Sequence, residues 1–381
     1  MSPRPGPPKT GLYVHWPYCA RICPYCDFNV ARARGVDEGA WGDAFAADLR
    51  HLADRFGPRP LVSAYLGGGT PSLMGPALIG RILREAEAIF GLAPGAEITL
   101  EANPNDVDDG TVAGWLAAGV NRLSLGVQSL RDEDLAFLGR DHGADAARRA
   151  VGATLRAFPR SSFDLISALP GQMEAAWAER LAEALALGPA HLSIYQLTVE
   201  PGTAFGRQVA RGDWLPADED RAADLYELTA AMTAEAGLPA YEVSSHARPG
   251  FEAVHNGLYW EGADWLAIGP GGHGRLTRGG ERVATEGARA IGQYLSLAPE
   301  ARSSETVLTA GEALTERLAG GLRLARGLPI AELGEAGSRV AARAGPLVED
   351  GFLMLEGGVL ASTGRGRLVL DALTAELASV L

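Results

Sequence analysis

Cys19, Cys23 and Cys26 are the only cysteines in a chain of 381 residues, and all three fall in one eight-residue window with CxxxCxxC spacing. Thiolates at two- and three-residue gaps can converge on one soft metal centre, and iron–sulfur clusters are held by runs of this kind. A cubane cluster has four irons, so three cysteines leave one iron without a thiolate. That open iron is where a substrate or cosubstrate can bind. Two other chemistries use the same residues. A structural zinc site closes with four Cys or His ligands, and His15 is near enough in sequence to be the fourth. A disulfide would strand one thiol and would suit an exported protein, but Met1-Ser-Pro-Arg-Pro-Gly-Pro-Pro-Lys-Thr10 carries no apolar signal segment. The thiols therefore read as reduced, in a cytoplasmic protein.

Strands and helices must position such a centre. Short apolar runs of strand character recur at 12–16, 64–68, 97–102, 122–128, 163–169 and 191–198. Between them lie amphipathic stretches such as Arg81–Phe90 and Glu174–Leu187, whose apolar spacing is helical. Alternation of this kind implies a parallel sheet. Six units are too few for a closed eight-fold barrel, so the expected fold is α/β, an open (β/α)6 TIM-like partial barrel. Its active residues should gather at the C-terminal strand ends.

The pattern changes from about Ala301. Glu312–Leu324 and Pro329–Ala342 read as helices, Leu353–Leu355 and Val359–Ala361 as a hairpin through Gly357-Gly358, and Asp371–Leu381 as a closing helix. This predicts a core domain at 1–297 and a small winged-helix-like α+β domain at 298–381, with the boundary in the loop Leu297–Thr306. The charge balance, 34 Lys and Arg against 47 Asp and Glu, is a net −13 and argues against a nucleic-acid partner. No apolar stretch approaches the roughly 18 residues that span a bilayer. A soluble protein without a membrane span is expected.

The strand ends carry polar residues with uses of their own. Gly67-Gly-Gly-Thr-Pro71 would let the backbone approach a ligand closely, or simply turn the chain into a helix. Glu101, at the third strand end, could anchor a ribose or an ammonium group, or cap a helix. Gln128 offers a donor and an acceptor, and Arg140 a planar fork suited to a carboxylate. Asp164 lies inside the apolar fifth strand, where a charge is expensive unless paired, so a buried ion pair competes with a ligand contact.

A CxxxCxxC run after a first strand, with Tyr25 just before the third cysteine, resembles the signature of the radical S-adenosylmethionine superfamily. The resemblance implies a 4Fe-4S cluster on Cys19, Cys23 and Cys26 whose open iron chelates the amino and carboxylate groups of S-adenosylmethionine. An electron passed through the cluster then cleaves that cofactor to a 5′-deoxyadenosyl radical, while the protein orients it and excludes competing reactions. The ordered motifs resemble one branch above all, the anaerobic coproporphyrinogen III oxidases and the heme chaperones related to them. The likeness runs from Tyr13 through the C-terminal appendix. By matching motif positions it implies that Tyr13, Tyr25, Gly68, Gly69, Thr70, Glu101, Gln128, Arg140 and Asp164 contact S-adenosylmethionine.

Two features divide that branch. The oxidases carry a further cysteine two positions after the third, where this chain reads Cys26-Asp-Phe28, and phenylalanine cannot replace a thiol. They also have a longer segment ahead of the cluster motif, whereas 18 residues precede Cys19 here. The chaperones are resembled instead by His255-Asn-Gly-Leu-Tyr-Trp260, an HNxxYW element, and by the glycine-rich loop Gly269-Pro-Gly-Gly-His273-Gly. Imidazole can ligate heme iron and the adjacent aromatics can stack on a porphyrin face, which makes His246, His255 and His273 the axial candidates. Thioether attachment through CxxCH is impossible, because Asp27 follows Cys23-Pro-Tyr-Cys26. The resulting expectation is a cytoplasmic heme chaperone, with a homodimer left open, that delivers heme to acceptor apo-hemoproteins, respiratory ones first. Coproporphyrinogen III oxidase and a radical enzyme that opens the heme ring are the alternatives.

Overall fold

The computed structural model describes residues 9–381, so most of the N-terminal stretch read above for a signal segment, Met1–Pro8, lies outside the described residues. The strands are β1 (Thr10–Trp16), β2 (Tyr18–Cys19), β3 (Ala31–Arg32), β4 (Leu61–Gly68), β5 (Leu92–Ala102), β6 (Arg122–Gln128), β7 (Ser162–Ser167) and β8 (His191–Gln196). They continue as β9 (Ser245–Ala247), β10 (Asp264–Ile268), β11 (His273–Arg278), β12 (Glu281–Gly287) and β13 (Ser303–Val307). One sheet runs β13-β12-β11-β10-β1-β4-β5-β6-β7-β8-β9. Within it β1, β4, β5, β6, β7 and β8 are parallel neighbours, the six expected β/α units in sequence order.

Burial on both faces explains why these strands read as nearly continuous apolar runs. Leu12, Val14, Leu66, Leu100, Leu123 and Leu125 are each wholly buried, between the barrel interior and a jacket of helices. The helix Glu38–Phe56 shows how the jacket is set. Asp37 caps it by accepting from the Ala40 amide, and Trp41, Phe45, Leu49 and Leu52 face the core. Among the described residues no helix is long and apolar enough to cross a membrane.

The sheet extends further than the expected barrel. β10 adds a parallel strand on the open side of β1, and β11, β12 and β13 follow antiparallel. β11 and β12 carry Arg275, Arg278, Glu281, Arg282 and Glu286 interspersed with their buried positions, and so present no apolar run in the sequence. Part of the segment Leu297–Thr306, read above as a loop, is strand: Ser303–Val307 pairs with β12 and belongs to the large sheet. Thr309 then opens the next unit with a capping box to Glu312.

That second unit has its own core of Leu318, Leu322, Leu328, Val340, Leu353, Leu360 and Leu377. It places β14 (Leu328–Pro329), β15 (Leu353–Glu356) and β16 (Val359–Ser362) in the order β14-β16-β15, beside helices Ala310–Arg323, Ala336–Glu349 and Leu370–Ala378. The hairpin turns at Gly357 and Gly358, with φ of 57° and 79°, as a turn with two left-handed residues demands. The helix expected from Pro329 starts only at Ala336, because Gly334 at φ 56° ends a short 3-10 turn first.

The two units meet where helix Ala310–Arg323 crosses helix Val254–Glu261, which carries the HNxxYW run. A Cβ on Gly320 would sit 2.9 Å from the Trp260 carbonyl oxygen and 3.1 Å from its Cα. Arg317 donates to that carbonyl at 3.2 Å, and the Arg323 guanidinium lies 4.4 Å from the centroid of one Trp260 ring. Gly320→Val must therefore push the crossing apart. A loss of about 1–3 kcal/mol is expected, read as a lowered Tm in calorimetry.

Candidate functional site

The loop between β1 and helix Glu38–Phe56 brings the three cysteines to the C-terminal end of the barrel. Pairing of Tyr18 with Ala31 and of Cys19 with Arg32 clips its two ends together. Tyr25 fastens its middle, packing 6.3 Å from Phe205 in a small apolar cluster with Leu138, Ile166 and Leu169. All three cysteines are free thiols on the wall of one cavity of about 460 Å³. Tyr25, Gly68, Gly69, Thr70, Glu101, Gln128, Arg140 and Asp164 line the same cavity. Tyr13 does not. It faces a second, larger cleft, and its hydroxyl bonds His15 Nδ1 at 3.0 Å.

Strand ends and the loops that follow them hold these side chains. Arg140 is the hub: Nη1 donates to Cys23 Sγ at 3.2 Å, and Nη2 donates to the Gly126 carbonyl at 3.0 Å and to Asn103 Oδ1. Its Nε is buried without a partner. Asn103 in turn donates to Thr70 at 3.2 Å. Gln128 sits at φ 68°, a left-handed conformation that costs a non-glycine residue about 1 kcal/mol and that clusters at ligand sites. Gly69 leaves room that no other residue would, since a Cβ there would lie 2.7 Å from the Tyr18 carbonyl oxygen.

The electrostatics are unbalanced. Glu101 accepts from Tyr65 at 2.7 Å and from the Gly68 amide at 3.1 Å, yet burial pushes its carboxyl up to about 7. Burial likewise pushes Asp164 up to about 6. Cys26 is pushed up to about 11 and Cys19 rises too, both chiefly by burial. Two buried carboxyls and three thiols therefore share a cavity in which Arg140 is the buried cation. A cationic ligand and a soft metal centre would relieve both strains, because metal coordination deprotonates a thiol outright.

His15, the alternative zinc ligand, is committed elsewhere, with Nε2 bonded to the Asn29 carbonyl at 3.0 Å and Nδ1 to Tyr13. No three His, Cys, Asp or Glu side chains among the described residues are arranged around one metal ion. Cys19, Cys23 and Cys26 likewise do not converge on one point but line one cavity, beside a glycine cradle and an unpartnered guanidinium nitrogen. That set fits a cluster with an amino-acid cosubstrate.

The larger cleft, about 870 Å³, shares Asp27, Phe28, Gly68 and Glu101 with the thiol cavity and lies against the second unit. Tyr259, Trp260 and Trp265 line it, with His273 on its rim at 52% side-chain exposure. His255 is not on that wall. It is wholly buried, with Nδ1 bonded to Ser63 at 2.8 Å and Nε2 to Tyr259 at 2.7 Å, and burial pushes it down to about 3. Both ring nitrogens are hydrogen-bonded here, to Ser63 and Tyr259. His246 is buried as well, bonded to Thr233 at 2.9 Å.

A sequence profile of the Radical SAM superfamily matches residues 13–184, and one of the HemN C-terminal domain matches 308–369. Heme chaperone HemW of Mycobacterium tuberculosis (strain ATCC 25618 / H37Rv) is 38% identical over 391 residues, 99% of this chain and 96% of that one. The chain belongs to the HemW-like branch of the radical SAM superfamily. Another relative is the mitochondrial radical S-adenosyl methionine domain-containing protein 1 of Bos taurus, 37% identical over 100% of this chain and 90% of its own. Coproporphyrinogen III oxidase (HemN) from Escherichia coli has the same fold, with a TM-score of 0.82 over 98% of this chain and 91% of that chain, at 21% identity. Membership of this superfamily implies a 4Fe-4S cluster and S-adenosylmethionine as cofactors.

Several residues of the site carried no signal of their own in the sequence. Tyr65 and Asn103 stand two positions from glycine or acidic motif residues, on the same face of their strands, and period-two alternation would have found them. Asn29 and Ser63 could not be found that way, because their partners lie more than 190 residues along the chain.

Proposed function

We propose that this protein is a cytoplasmic heme chaperone. It holds a 4Fe-4S cluster on Cys19, Cys23 and Cys26 with S-adenosylmethionine beside it, and carries heme in the larger cleft for delivery to acceptor apo-hemoproteins, respiratory ones among them. The observation that carries this reading is the meeting of the two cavities at Phe28, Gly68 and Glu101. Phe28 stands at the position of the oxidases' extra cysteine, 62% exposed, and offers an apolar face where those enzymes have a thiol. Tyr259, Trp260 and Trp265 extend that apolar wall, and His273 supplies an imidazole at its edge.

Within the thiol cavity, Arg140 and the Gly68–Thr70 backbone would receive the carboxylate and amino groups of S-adenosylmethionine. Glu101 and Asp164 would balance its positive charge. When bound, the cluster supplies the electron for reductive cleavage of that cofactor.

Anaerobic reconstitution with iron and sulfide, followed by parallel incubation with heme and with coproporphyrinogen III, S-adenosylmethionine and reductant, tests the reading. Stoichiometric heme uptake without protoporphyrinogen is expected. Protoporphyrinogen over many turnovers would make the protein an oxidase, and loss of porphyrin absorbance under reductant would make it a ring-opening enzyme. The histidines separate in the same assay. His273→Ala should change the ligand field of bound ferric heme. His255→Gln should leave the spectrum alone and lower stability by about 1–3 kcal/mol, since Ser63 and Tyr259 lose a buried partner.

A further inference from the structure

The larger cleft has a charge pattern at odds with the chain as a whole. The protein is net −13, yet Arg275, Arg282, Arg289, Arg317 and Arg323 all line this one cleft. Four of them are committed to close ion pairs. Arg275 meets Glu316 at 2.8 Å, Arg282 meets Asp264 at 2.6 Å, Arg317 meets Glu332 at 2.7 Å, and Arg323 meets Glu242 at 2.7 Å. Arg289 is different. Its side chain is 64% exposed, and its ion-pair partner, Glu286 Oε1, is 4.0 Å away. An exposed pair at that distance contributes little.

The same Glu286 oxygen lies 3.9 Å from His273 Nε2. One hairpin holds all three groups: His273 on β11 and Glu286 on β12 are direct cross-strand partners, and Arg289 follows three residues after Glu286. An imidazole and a weakly paired, solvent-exposed guanidinium thus flank a single carboxylate oxygen at the mouth of an aromatic cleft. A guanidinium gains most from a carboxylate it can meet with two parallel N–H donors, and Glu286 does not offer that geometry.

We propose that Arg289 binds a propionate carboxylate of heme and that Glu286 is the counter-ion it exchanges for that ligand, with His273 facing the iron of the same macrocycle. This rests on the heme reading above and adds the chemical feature the cleft selects: a porphyrin with free peripheral carboxylates. Glu286 keeps the empty cleft neutral at this point and yields when a better-placed carboxylate arrives.

Ferric heme and heme dimethyl ester, whose propionates are blocked, are the two probes, titrated by absorbance into the reconstituted full-length protein. The wild type should prefer heme over the ester by about tenfold. Arg289→Gln should lower heme affinity by that factor and leave ester affinity unchanged, so that the preference disappears. Glu286→Gln, which removes the competing carboxylate, should raise heme affinity. A wild type that binds both probes equally overturns the inference while leaving heme binding intact. So does an Arg289→Gln protein that keeps the preference or loses both ligands to the same degree. A wild type that binds neither probe overturns the heme reading itself.

Discussion

A protein carrying Cys19→Ala, Cys23→Ala and Cys26→Ala together should take up no iron–sulfur chromophore on reconstitution and should still fold. The barrel core is built from Leu12, Val14, Trp16, Phe45, Leu66, Leu100 and their neighbours, without a contribution from any thiol. The cysteine loop has fastenings of its own: the Tyr18–Ala31 and Cys19–Arg32 pairs, Tyr25 on Phe205, and the two hydrogen bonds of the Asn29 side chain. Visible absorbance should fall to background while far-UV circular dichroism and Tm stay near those of the unreconstituted wild type. A chain that fails to fold without its thiols would mean a structural metal, because such sites supply folding free energy outright.

Glu101→Gln should act in opposite directions on stability and on cofactor binding. Its carboxyl titrates near 4.5 in an unfolded chain and near 7 in the fold, so the folded state holds that proton more tightly. Below pH 4.5 the difference has no effect on stability. As pH rises from there through about 7 the fold loses stability, and above that the full cost stands. The whole shift is worth on the order of 3 kcal/mol, less what glutamine loses by facing the Gly68 amide with a poorer acceptor. At pH 8 the apoprotein should therefore gain about 1–3 kcal/mol in denaturant unfolding, and at pH 4.5 almost nothing. S-adenosylmethionine affinity should fall at least tenfold at pH 8, since the ligand loses a buried anion. In the wild type that affinity should rise with pH through about 7, and in the variant this step should be absent.

Both predictions concern residues that the sequence brought into view, and the reason is geometric. In a parallel barrel the C-terminal strand ends share one face, so polar residues closing successive apolar runs meet there whatever lies between them. Glu101 and Gln128 meet for that reason, Asp164 joins them from inside β7, and Arg140 reaches back from beyond the helix Asp132–Phe137 to the Gly126 carbonyl. Tyr13 stands apart from them because its side chain, inside β1, faces the neighbouring cleft and bonds His15. His255 lies off the cleft wall, which residue type alone does not reveal. A histidine in an aromatic run resembles a ligand until Ser63 and Tyr259 are seen to occupy both of its nitrogens. The β11–β13 extension carries no apolar run to mark it, because β11 and β12 alternate buried with polar or charged positions and β13, SSETV, has no buried position at all.

Asn29 has a wider consequence. Three residues beyond Cys26, its amide donates at 2.9 Å to the Pro270 carbonyl and at 2.9 Å to the Arg289 carbonyl. A Cβ on Gly271 would lie 3.0 Å from the same amide nitrogen, so this junction accepts no bulk. The loop that would wrap the cluster is thus strapped to both ends of the β11–β12 hairpin, beside His273 and Arg289. Two occupancies joined by such a strap obey reciprocity: any factor by which cluster assembly changes heme affinity is the factor by which heme changes retention of the cluster. With heme bound as proposed, assembly of the cluster and uptake of heme would be linked equilibria, and Asn29→Ala is the substitution that should uncouple them.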